Sequence, residues 1–225
     1  MQCFELLRTR LLRLAALLCP LLLLTSSAVA EESSGDATRE YSQYYTGAFH
    51  EYSMRGGLTL PSNTDYSGWH LDIGMRHSFP FLVGDFRVAY QFDRLDADTD
   101  ADLGQLEQHA VGGYLAIHPG YLLLLGSDWL AYTLSSVHLE LGGGAQMGVL
   151  ENSATEDFET GFGPFVSIGG GFDVPLSDPD NGAAPWLNFI YRWRVADFDG
   201  EVETFDLDTH LVQVGLGWRI NGLLF

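Results

Sequence analysis

The feature that most constrains this chain is an alternation of apolar and polar residues at period two, repeated in segment after segment beyond residue 40. Successive side chains of a β-strand point to opposite faces, so the alternation specifies strands that are greasy on one side only. In 69–79, Trp69, Leu71, Ile73, Met75 and Phe79 share one face, and His70, Asp72, Gly74, Arg76 and Ser78 share the other. Phe86, Val88, Tyr90 and Phe92 oppose Arg87, Ala89, Gln91 and Asp93. The same rhythm sets Val137, Leu139, Leu141, Ala145, Met147 and Val149 against Ser136, His138, Glu140 and Gln146, and Leu187 to Val195 against Asn188, Arg192 and Arg194. Val212, Val214, Leu216, Trp218 and Ile220 oppose Gln213 and Arg219. Three weaker stretches, Tyr44 to Leu60, Gln105 to His118 and Phe158 to Val174, bring the expected strands to eight.

No apolar run beyond residue 30 reaches the roughly 20 residues that a membrane-spanning helix needs. Each predicted strand does reach the about 9–11 tilted residues that cross a bilayer as β-structure. An even number of antiparallel strands can close into a tube without an edge, the one kind of sheet that hydrocarbon tolerates. A soluble sandwich would show the same alternation, so other signs must choose. Six of the eight arginines beyond residue 30 (Arg55, Arg76, Arg87, Arg192, Arg194 and Arg219) fall on the polar face. Trp69, Trp193 and Trp218 sit near strand ends on the apolar face, as an aromatic girdle would. Acidic residues gather in alternate connections, around Asp96–Asp102, Glu151–Glu159 and Asp197–Asp208, which puts them at one end of the tube. Together these point to an all-β, eight-stranded antiparallel up-and-down transmembrane β-barrel.

The first thirty residues differ from the rest. Arg8, Arg10 and Arg13 precede an apolar run from Leu14 to Leu24, and Ala28-Val29-Ala30 fits a signal-peptidase site, so a signal peptide over 1–30 with cleavage after Ala30 is expected. A short periplasmic segment over 31–43 and a barrel domain over 44–225 would follow. Both cysteines, Cys3 and Cys19, lie in the removable part, so the mature chain holds no disulfide. Losing residues 1–30 removes three arginines and one glutamate and takes the net charge from -19 to -21. With no lysine anywhere, nucleic acid is excluded as a partner on electrostatic grounds.

The segment Gln213-Val214-Gly215-Leu216-Gly217-Trp218-Arg219-Ile220 resembles the assembly signal of outer-membrane proteins, with Gln213, Gly215, Trp218 and Ile220 in its specified places and Phe225 as the terminal aromatic. Joined to the signal peptide and the eight strands, it makes the chain similar to the OmpA-type outer-membrane β-barrel domain superfamily, from about Tyr44 onward. That resemblance implies integral residence in the bacterial outer membrane. The implied partners are outer-membrane lipid, lipopolysaccharide and the assembly machinery.

Eight strands leave an interior that side chains fill, so the inward charges are expected to pair into a plug. The expected network is Glu51, Arg55, His70, Asp72, Arg76, Arg87, Asp93, His138, Glu140, Asp173, Arg192, Arg194 and Arg219, with Gln91 beside it. A narrow pore is the lesser alternative. A catalytic reading, as a lipid A-modifying hydrolase or acyltransferase, has one candidate set: Ser136, His138 and Glu140 have the types of nucleophile, base and orienter. Residues two apart on a strand stand about 6.6–6.8 Å apart, beyond direct hydrogen-bond reach, and the His-x-Ser element of barrel deacylases does not occur. Asp96, Asp98, Asp100 and Asp102 have the spacing of a calcium loop, with Glu107 at the twelfth place. Ala101 stands where the loop requires glycine, so a solvated acidic loop with at most weak divalent-cation binding is expected. No cofactor is expected. The triplets Gly142–Gly144 and Gly169–Gly171 open no helix and so are not phosphate cradles but places where strands bend or pack closely. Tyr121 to Leu134, too apolar for a plain turn, is expected to extend its flanking strands or to form a short helix.

Overall fold

In the computed structural model, residues 48–62, 66–79, 84–97, 103–120, 129–152, 158–177, 183–200 and 204–221 are described. They form eight strands: β1 (Phe49–Pro61), β2 (Tyr66–Ser78), β3 (Gly84–Ala97), β4 (Leu103–Ile117), β5 (His138–Asn152), β6 (Phe158–Pro175), β7 (Ala183–Gly200) and β8 (Thr204–Asn221), with one short helix, α1 (Trp129–Ser135), before β5. Each strand pairs antiparallel with its neighbour in sequence, and β1 pairs with β8 from Phe49–Asn221 to Pro61–Thr209, which closes the barrel. The eight expected strands are all present, and the apolar stretch before β5 contains the helix. The expected signal peptide and the 31–43 segment lie outside the described residues.

The burial pattern inverts that of a soluble domain. Met54, Val111, Leu115, Leu141, Ile168, Leu216 and many other large apolar side chains are exposed on the outer surface, while polar residues of the inward parity away from the strand tips, such as Arg55, Asp72, Gln91, Gln108, Ser167 and Asn188, are buried. All six arginines expected on the polar face are nearly or wholly inaccessible, and so are six carboxylates: Glu51, Asp72, Asp85, Asp93, Glu140 and Asp173. Among the described residues the interior therefore holds as many guanidinium groups as carboxylates.

The two mouths differ. One, formed by the start of β1, the end of β8 and α1, is the helix end. The other is the acidic end: segments 62–66, 95–107, 150–160 and 196–208, which lead into and out of its four connections, hold sixteen Asp and Glu and no Arg or His. Near the acidic end the lumen turns apolar, with Leu95, Leu106, Ala110, Phe165, Ala196 and Phe198 packed together and nearly inaccessible. On the helix side, Tyr132 of α1 packs with Ala184 and Trp186.

Glycine is spent where large side chains cross the lumen. A Cβ on Gly142 would stand 2.1 Å from a ring carbon of Tyr114, whose side chain lies over β5. We expect Gly142→Leu to lower the unfolding free energy by roughly 1–3 kcal/mol through displacement of that ring, read as a fall in the urea midpoint of the micelle-bound protein.

Candidate functional site

The lumen is the site, and it is layered. Nearest the helix end, Arg76 Nη2 donates to Glu51 Oε2 at 2.8 Å and to Asp173 Oδ2 at 2.7 Å. Arg219 Nε donates to the same Glu51 oxygen at 2.6 Å, and its Nη2 reaches Asp173. Asn188 Nδ2 donates to the other Asp173 oxygen at 2.7 Å. Rings cap this layer: the Arg219 guanidinium carbon lies 3.8 Å from the Trp186 ring centre and 4.5 Å from that of Phe49. An aromatic face attracts a cation most when water is excluded, as it is here.

At mid-height Asp72 is the hub. It accepts from both terminal nitrogens of Arg87, from Arg192 Nη1 at 3.2 Å and from Gln91 Nε2 at 3.0 Å. Arg192 turns its other edge to Glu140 in a two-pronged contact through Nε and Nη2. It also lies over Tyr114, with its guanidinium carbon 4.2 Å from the ring centre. Arg55 is held more loosely, 3.7 Å from Glu51.

Toward the acidic end Asp93 collects Thr59 Oγ1 at 2.7 Å, His70 Nδ1 at 2.7 Å and Arg194 Nη2 at 2.9 Å. Gln213 Nε2 donates to His70 Nε2 at 2.9 Å, which fixes the ring with its Nδ1–H toward Asp93. Arg194 also donates to Gln108 Oε1 at 2.9 Å. Register explains why partners so distant in sequence meet: Arg55 faces Asp72 across β1–β2 and His70 faces Asp93 across β2–β3, while Arg194 spans the lumen from β7.

Of the expected lumen residues, twelve take part in these layers. His138 is buried near the helix end, where its Nδ1–H donates to the Ser136 carbonyl, between α1 and β5, at 2.9 Å. Alternation over the ends of strands is harder to count, and there the sequence reading missed Asp85 and His118, which pair at 2.8 Å through Oδ2 and Nε2. Both have the inward parity of β3 and β4, which is the signal that would have found them. The alternation places Asn188 and Gln213 on the polar face, and the structure adds them, with Thr59 and Gln108, to the hydrogen bonds of the charged network.

The three residues with the types of a catalytic set stand apart in role. The Ser136 hydroxyl bonds the main chain, accepting Asp173 N–H at 2.7 Å and lying 2.7 Å from the Thr133 carbonyl and 2.8 Å from that of Asp173. Glu140 is engaged by Arg192, not by His138. Among the described residues no group of three or more His, Cys, Asp or Glu could hold a metal ion. Asp96 is exposed at the end of β3, and Asp98, Asp100 and Asp102 lie outside the described residues. Within the segment that resembles an assembly signal, Gln213 is buried in the lumen and Trp218 and Ile220 are exposed outside; Phe225 lies outside the described residues.

No protein-family model matches the chain, and no curated relative is similar to it in sequence. Among solved structures it is similar to Neisserial surface protein A, at 14% identity and a TM-score of 0.42 over 78% of this chain and 99% of that one. It is also similar to Ail, the attachment invasion locus protein of Yersinia pestis, at 12% identity and a TM-score of 0.43 over 77% of this chain and 97% of that one.

Taking one carboxylate out of such a layer strands its cations. Asp72→Ala removes the common acceptor of Arg87 and Arg192 and is expected to cost about 3–5 kcal/mol of unfolding free energy. The double variant Asp72→Leu with Arg87→Met is expected to recover most of that loss, because Arg192 retains Glu140. Urea titration of all three proteins in one detergent checks the order.

Proposed function

We propose that this chain is a small, non-enzymatic, integral β-barrel of the bacterial outer membrane, with lipid around it, an ion-paired plug inside it and an acidic surface at its outer end. The observation that carries the reading is the inverted polarity: large apolar side chains clothe the outside while six arginines and six carboxylates are buried within. In water that arrangement would expose a continuous greasy belt and strand charges in a core, both costly. In hydrocarbon the same arrangement matches its surroundings, since the closed sheet leaves no free strand edge.

Orientation follows from connectivity. A signal-directed chain with its N-terminus in the periplasm places the helix end inward and the acidic end toward the exterior. The exposed Trp129, Leu130 and Leu134 of α1 then lie at the inner interface. The acidic end suits contact with divalent cations and, through them, with the phosphates of lipopolysaccharide. The paired charges across the lumen and the apolar cluster near the acidic end support a barrel that contributes a surface and an anchor rather than a conduit. The backbone-bound Ser136 and the Arg192-bound Glu140 support the absence of hydrolysis.

Three measurements test this. The purified chain is expected to migrate differently on a gel before and after boiling, as a detergent-resistant barrel does; identical migration would remove the barrel from the membrane. In lipid vesicles, Val111→Arg on the outer face at mid-height should cost about 2–4 kcal/mol, whereas Phe158→Arg at a strand tip should cost about 0–1 kcal/mol. Equal small costs would point to an aqueous exterior. Mass spectrometry of lipid A from cells with and without the chain is expected to give the same pattern; a shifted acyl or phosphate composition would replace the structural role with an enzymatic one.

A further inference from the structure

Two histidines outside the lumen have a geometry that the barrel itself does not require. His50, second residue of β1, and His77, next to last in β2, are direct cross-strand partners at the helix end. They share the outward parity of Tyr52 and Met75, so neither faces the ion-paired layers. Their Nδ1 atoms stand 3.2 Å apart, and the ring centres lie 4.5 Å apart with the planes tilted by 30°. The His50 ring is 6% exposed, with its Nε2 buried and without a hydrogen-bond partner, and His77 is half-buried with Phe79 edge-on at 6.1 Å.

We infer that His50 and His77 form a two-imidazole site for a divalent transition-metal cation of the Cu2+, Ni2+ or Zn2+ class. Two nitrogen ligands at about 2.0–2.1 Å from one metal, separated by the 90–109° of square-planar or tetrahedral geometry, lie about 2.9–3.4 Å from each other. The observed 3.2 Å falls inside that span. Two facing Nδ1 atoms otherwise need one proton between them, at the long limit of an N–H···N bond. Imidazole nitrogen selects this class of cation over calcium and magnesium, which take oxygen ligands. Since no third side chain completes the set among the described residues, water or an oxygen-bearing headgroup fills the remaining positions. That places the site at the edge of the apolar belt, where strand ends meet water, and it would clip β1 to β2 beside the β1–β8 seam. The setting at a bilayer edge rests on the membrane reading above; the site itself does not.

The test uses the full mature chain in detergent micelles with Cu2+ as the probe. The electron paramagnetic resonance spectrum is expected to show coupling to two imidazole nitrogens. His50→Ala and His77→Ala should each remove one coupling and weaken binding by more than about tenfold, at least the loss that follows removal of an outer-layer partner of a metal ligand. His109→Ala, which breaks the outward Tyr90–His109 contact instead, should leave the spectrum unchanged. Binding should also fall as the pH drops below about 6, because a protonated imidazole cannot ligate. A wild-type spectrum with fewer than two nitrogens overturns the site, as does an unchanged spectrum in both histidine variants. Gel migration before boiling shows separately whether each variant has folded, so a failure of the barrel reading is not confused with a failure of the metal site.

Discussion

Closure of the sheet is the constraint on which everything else in this molecule depends. Once β1 pairs with β8, the wall of the tube is continuous, and the charges buried along its inner face must find their opposites across a narrow lumen. Effective dielectric constants in such places are far below that of water, so an unpaired guanidinium would cost several kcal/mol. Among the described residues six buried arginines are matched by six buried carboxylates, which meets that demand. The sharing of acceptors, with Glu51 and Asp173 both held between Arg76 and Arg219, satisfies more donors than isolated pairs could.

The usual engine of folding is displaced by this arrangement. Among the described residues, the buried apolar clusters are a small one near the acidic end and another at the helix end. Most apolar area faces outward, where it gains only from a non-aqueous surrounding. Stability then comes from the cross-strand ladder and from charge-assisted hydrogen bonds among buried groups. The glycines opposite Tyr114 and Arg55 belong to the same economy of space, since a Cβ on Gly142 or Gly215 would occupy volume those long side chains already take.

Much of this was legible in the residues alone, for a definite reason. Alternation at period two carries face assignment residue by residue, so Arg76, Arg87, Arg192 and Arg194 could be placed in the interior without knowing any partner. Pairing could not be read, because it depends on register between strands far apart in sequence. Nothing in the chain says that Arg194 meets Asp93, 101 positions away. Parity weakened at strand ends, which hid Asp85 and His118. Face assignment put Gln213 on the polar side, but that it orients His70 depends on a contact between β8 and β2 that no local pattern encodes. The apolar stretch before β5 was ambiguous because helix and strand are both compatible with short greasy runs, and docking of Tyr132 against Ala184 and Trp186 goes with the helix.

The packed lid of Leu95, Leu106, Phe165 and Phe198 bears on how the two charge populations respond to electrolyte. Mobile ions screen over a Debye length of about 8 Å at physiological ionic strength, but only where they can enter. The carboxylates massed around the acidic mouth lie in that reach and will feel added salt at once. The layers beneath are separated from them by this packed, nearly inaccessible cluster, so their mutual attraction is screened far less by added electrolyte.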